Sequence, residues 1–152
     1  MIDAINENEI KVQALKVFSK EMQGKLEQNK LDEIYKKFLL GEKGYAYKSR
    51  PYIASYVFYT HVELAVSNGF IFIGHGNVVD SPGSGSYWGK LYAKDFDKLR
   101  ANTDSFWYIS DLTSGIFLFF DLNSTLLANF VGFGISSVLS SGTGYGSWSS
   151  VH

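Results

Sequence analysis

Three histidines, His61, His75 and His152, are the only imidazoles in this 152-residue chain, and it has no cysteine. Without thiols there can be no disulfide, no thiolate metal site and no cysteine nucleophile. Fourteen residues separate His61 from His75, and the sequence offers no obvious third ligand. A metal centre of the usual kind needs three or four converging ligands, so no metal site is predicted. In FIGHGN, His75 is instead a candidate for a pH response.

Other chemistries fare no better. A serine hydrolase would place its nucleophile in G-x-S-x-G. GSGSYWG at 83–89 lacks that spacing and falls beside the breaker DSPGSGS at 80–86, which reads as a loop. Asp95 and Asp97 stand in a lysine-rich turn, while Asp104, Asp111 and Asp121 fall at strand ends, where aspartate shapes turns. Near the end, SGTGYGSWSS carries glycine at 142, 144 and 146. A phosphate-binding loop would need Lys-Ser/Thr after the last glycine and a helix behind it, and neither is present. Alternate glycines fit a strand whose neighbours come too close for side chains, and Gly132 and Gly134 repeat the pattern. Tyr87, Trp88, Trp107, Tyr108, Tyr145 and Trp148 could line a sugar or lipid groove. Strand alternation, however, turns Trp107 away from Phe106 and Tyr108, which favours core filling. No catalytic residue, cofactor-binding residue or cofactor is predicted, and the chain is read as non-enzymatic.

The elements that would carry these residues divide the chain in two. Residues 1–50 hold 10 Lys/Arg and 8 Asp/Glu, against 4 and 7 in the remaining 102 residues. The charged part reads as helix, with Leu15, Phe18, Met22 and Leu26 on one face and Asn6 with Glu9 as a capping pair. Asn29 and Asp32 suggest a second helix with Leu31, Ile34, Tyr35 and Phe38 on its apolar side, stopped by Gly41. The apolar stripe should pack on the rest of the molecule.

From Pro51 the period becomes 2. Runs at 53–62, 64–73, 87–93, 104–110, 114–121, 126–134, 135–139 and 145–149 make eight short strands, with a helical turn at 94–102. Short connections suggest an antiparallel meander. Composition agrees: 12 Phe, 10 Tyr, 3 Trp and 15 Gly lean towards β structure. A net charge of −1 gives no basic field for nucleic acid. No apolar run approaches the ~20 residues of a membrane helix, and MIDAINENEI is not a Sec signal peptide.

Three strings in register are more specific. WGKLYAKDFDKLRANTDSF, FFDLNSTLLANF and GTGYGSWS resemble the Rhodococcus equi virulence-associated protein (Vap) family, with its G-x-L-Y-x-x-D-x-x-x-L segment, F-F-D hairpin and closing G-T-G-x-G-S-W. The upstream YVFYTHVELAVSNGFIFIGHGN is similar to the family's first hairpin. The resemblance covers about residues 45–150. It implies an all-β domain over 45–152: a closed eight-stranded antiparallel β-barrel of Greek-key type with a packed interior. It brings no catalytic residues. The implied role is that of an exported virulence-associated effector acting by surface interaction with a host protein or membrane lipid. The alternative is a small-ligand barrel for lipid or sugar. Residues 1–44 form a helical N-terminal extension where typical members have a signal peptide and a disordered arm. The chain is therefore secreted by resemblance, with no signal peptide in view.

Overall fold

The computed structural model describes residues 4–41, 44–56, 58–76 and 82–151. Its N-terminal part is helical: α1 (Ala4–Met22), α2 (Gln28–Tyr35) and a π-helical turn, Lys36–Leu40. Gly24, at φ +83°, reverses the chain after α1, a left-handed position suited to glycine. α1 presents Ala14, Leu15 and Phe18, all buried, with Met22 and Leu26 partly buried beside them. The expected face is therefore the packed one. The second helix starts at Glu27, without a side-chain cap, instead of at Asn29. Ile34 and Phe38 are buried as expected, whereas Tyr35 is exposed. Asn6 lies within α1, and its side chain falls outside the described residues.

Eight strands follow: β1 (Tyr45–Ser55), β2 (Thr60–Val66), β3 (Phe70–Gly76), β4 (Gly83–Ala93), β5 (Ser105–Ser110), β6 (Ser114–Phe120), β7 (Leu126–Ser136) and β8 (Ser140–Ser150), with α3 (Phe96–Asn102) between β4 and β5. The number matches the expectation, but the pieces do not. The run at 53–62 contains the end of β1, a turn and the start of β2, and the run at 64–73 contains a Ser67–Gly69 turn. The runs at 126–134 and 135–139 are mostly one strand, β7. Gly83–Ser86, read as loop, opens β4.

All neighbours are antiparallel, in the closed order β1-β2-β3-β8-β5-β6-β7-β4. The simple meander is therefore replaced by two successive 4-1-2-3 Greek keys, in which β4 returns beside β1 and β8 beside β5. The described crossovers lie at the barrel's ends: α3 links β4 to β5, and residues 137–139 link β7 to β8. Closure leaves no unpaired edge among the strands.

Alternation then builds two cores. Inward-facing Ile53, Leu64, Phe72, Tyr87, Leu91, Phe106, Tyr108, Phe117, Phe119 and Phe130 fill the barrel. Phe72 meets Phe106, Phe119 and Trp148 at ring centroid separations of 5.4, 4.9 and 5.4 Å. α3 closes one end, burying Leu99, with Phe96 against Trp148. Asp95 caps it by accepting from the Lys98 amide at 3.2 Å. The second core lies outside the barrel, where Trp107, Ile116, Leu118, Phe120 and Val131 meet α1 and α2. This explains the unbroken apolar run IFLFF in β6. Phe117 and Phe119 point in while Ile116, Leu118 and Phe120 point out under the helices, so both faces are buried.

Candidate functional site

The glycines in β8 are architectural. Gly142 and Gly144 face inward and are buried. A Cβ on Gly144 would collide with the His75 carbonyl and the Phe106 ring, and one on Gly146 with Ile73 and Phe72. Strands crowd here because large rings occupy the axis. All three sit within β8, and Trp148 on the same strand points inward.

The six aromatic candidates scatter, as alternation required. Tyr87, Tyr108 and Trp148 are inside, Trp107 is covered by α1, and Trp88 and Tyr145 are exposed. Trp107 is held from outside: Phe18 meets its ring edge-on at 5.1 Å, and its Nε1 donates to Glu21 Oε1 at 3.1 Å. Ser141 Oγ donates to the other oxygen of the same carboxylate. The aspartates do turn work. Asp111 accepts from the Leu112 amide, and Asp121 from the amides of Asn123 and Thr125. Asp97 pairs with Arg100 at 3.4 Å.

A buried polar cluster plugs the barrel end opposite α3. The Tyr87 hydroxyl is bonded to Ser110 Oγ, which donates to the Val138 carbonyl at 2.8 Å and lies 3.3 Å from Ser136 Oγ. Tyr108 reaches Thr60 and Ser140. Burial pushes the Tyr87 hydroxyl above its usual range, opposed by the two serine hydrogen bonds and assisted by Asp111. Among the described residues, the groups bonded to Ser110 and Ser136 in this cluster are hydroxyls and backbone amides or carbonyls.

Two exterior features remain. A cleft of about 850 Å³ separates α1 from the β5–β6 hairpin, with Ile10, Ala14, Ile109 and Ile116 as apolar walls and Glu7 and Asp111 at its margin. The other is the rim of turns around the polar plug, where β1–β2, β5–β6 and β7–β8 all reverse. Phe58 is 78% exposed there, with Tyr56, Tyr59, Leu112 and Leu139 also exposed and Ile135 beside them at the end of β7. Tyr56 and Tyr59 stack at 4.9 Å. Residues 55–60, 110–114 and 136–141 contain no Lys or Arg. Sequence reasoning missed this rim because the run at 53–62 hid the turn that puts Phe58 at its tip.

The family model described as Rhodococcus equi virulence-associated protein matches residues 4–149. The chain belongs to that family. The match begins at Ala4, the first residue of α1, so it takes in the helical part that the motif resemblance, at 45–150, left out. Two solved structures from the intracellular pathogen Rhodococcus equi share the fold. Virulence-associated protein VapB is 27% identical, with 70% of this chain and 97% of that chain covered at a TM-score of 0.65. VapD is 26% identical, with 71% and 100% covered at a TM-score of 0.66. No curated protein matches. This Vap-family barrel thus carries its packed interior, its helical cover and its apolar rim on one chain.

Proposed function

We propose that this chain is a non-enzymatic virulence-associated effector, exported and acting by surface contact with a host component, foremost a host membrane. The observation that carries the reading is the rim: Phe58, Leu112, Leu139 and Ile135 exposed at one barrel end whose turns lack any basic residue. Exposed apolar side chains gathered at one end of a molecule point to an interaction site. Aromatic side chains such as Tyr56, Phe58 and Tyr59 suit the interfacial zone of a bilayer. No helix of the described residues is long and apolar enough to cross a membrane; the proposed contact is made by the exposed side chains of the turns at the bilayer surface. With no Lys or Arg in residues 55–60, 110–114 and 136–141, it owes little to anionic lipid.

Flotation of the full chain with phosphatidylcholine vesicles tests this, beside a Phe58→Ser/Leu139→Ser double variant. The full chain should float with the vesicles at low and high salt alike, and the variant should not. Equal flotation of both, or of neither, sinks the membrane contact. Point variants serve better than removal of residues 1–40, which would bare Trp107, Ile116 and Leu118 and create a new sticky face.

Ligand binding is the second reading, and the cleft beside α1 favours it. Its volume falls within the ~300–1,000 Å³ of small-molecule sites, whereas the described barrel axis is packed with rings. Ala14→Phe would fill that cleft and abolish uptake of a fluorescent apolar probe, while leaving vesicle flotation untouched.

A further inference from the structure

His61 and His75 are direct partners across the β2–β3 ladder. Both are on the barrel exterior, with His75 exposed and His61 partly so. His61 Nδ1 lies 2.9 Å from His75 Nε2, and the ring centroids are 4.8 Å apart. One of these nitrogens donates and the other accepts, so a bare lone pair already aims across the gap. Glu63, two residues along the same face of β2, holds Oε1 3.7 Å from His61 Nε2. A carboxylate behind that nitrogen favours a proton there and the lone pair on Nδ1, as in carboxylate–histidine–metal triads. The Tyr59 ring lies 5.9 Å from that of His75, and Tyr145 is the partner of His75 on β8.

Among the described residues, no group of three His, Asp or Glu side chains converges on a metal-sized point. Two imidazoles on adjacent strands can nevertheless chelate. Metal–nitrogen bonds of ~2.0–2.1 Å spanning this gap would set the angle at the metal near ~90°, that of neighbouring positions in a tetragonal or octahedral ion. We propose that His61 and His75 form an open two-imidazole site for a divalent transition-metal ion, Cu²⁺ above all. On binding, the proton between the rings passes through solvent to the donor ring's other nitrogen. Each neutral imidazole then keeps one N–H and gives one lone pair to the metal, and water completes the coordination. Among divalent first-row ions Cu²⁺ binds nitrogen sites most tightly. The site stands independently of the rim's proposed role.

The test is titration of the tag-free full chain with Cu²⁺, followed by electron paramagnetic resonance. One ion per chain, coupled to two imidazole nitrogens, is expected. His61→Gln or His75→Gln should each weaken binding about a hundredfold, because losing one arm removes the chelate's effective concentration. His152→Gln should change nothing. Both strand histidines are on the solvent side, so the variants keep the fold, which circular dichroism checks. Wild-type affinity in either strand variant, coupling to a single nitrogen, or loss of binding in His152→Gln would each overturn the assignment.

Discussion

At the level of single residues, burial and chemistry are most tightly joined at Tyr87. Its ring is fully buried among core residues and its hydroxyl ends in the Ser110–Ser136 cluster. Burial, the largest influence, raises the hydroxyl above its ordinary 10.0. The folded chain therefore keeps a proton that the unfolded chain releases. This contribution to stability is full below about pH 10 and is lost as the pH rises through the folded value. Tyr87→Phe should cost about 1 kcal/mol near neutrality, because Ser110 keeps its other partners. The variant should then lose less stability than the parent between about pH 9 and about pH 11. Denaturant melts across that range decide it, and parallel curves would refute the assignment. The sequence made the glycines of β8 legible because alternate glycine has few meanings in a strand. It left the His61–His75 pair illegible for want of a turn: SNG at 67–69 places the two histidines opposite each other, and a strand drawn across 64–73 erases that register.

Whole elements were readable wherever a single face is buried. α1 showed a helical stripe and packs by that stripe, and β5 alternates cleanly apart from the cover over Trp107. β6 was ambiguous for a physical reason. A strand buried on both sides has no alternation to display: Phe117 and Phe119 fill the barrel while Ile116, Leu118 and Phe120 lie under the helical cover. That cover hinges on Phe18, which sits against Trp107 and stacks on Phe120 at 5.8 Å. Phe18→Ala removes a buried ring at a cost of about 3–5 kcal/mol. Because α1 packs on the barrel's exterior and on the helical turn at Lys36–Leu40, outside the barrel core, the loss should fall on the helical part. Hydrogen exchange should quicken across residues 7–22 while β3, β5 and β8 stay protected, and binding of a hydrophobic dye should rise as Trp107 and Ile116 are bared. Uniform loss of protection in helix and barrel would show instead that the two unfold as one unit.

For the molecule as a whole, closure depends on the last strand. β8 lies between β3 and β5, joining the first Greek key to the second, while β4 and β7 join them on the other side. A chain ending at Leu139 would retain seven strands and still bury much of its core. It would, however, expose the edges of β3 and β5 and lose Trp148 from the aromatic cluster of Phe72, Phe96 and Phe119. Unpaired edges of that kind recruit other chains. The truncated chain should therefore aggregate and lose its near-ultraviolet circular dichroism, although its far-ultraviolet spectrum keeps sheet character. Size-exclusion chromatography with both spectra tests this. A monomer with native aromatic signals would mean that seven strands can close without β8. The same dependence makes folding a matter of distant contacts: β1 must find β4, and β3 must wait for β8. Pairings of such high sequence separation place the barrel among the slower small folds, on the order of milliseconds to seconds. The helical part, with its local contacts, can form earlier and cover β6 as that strand takes its place.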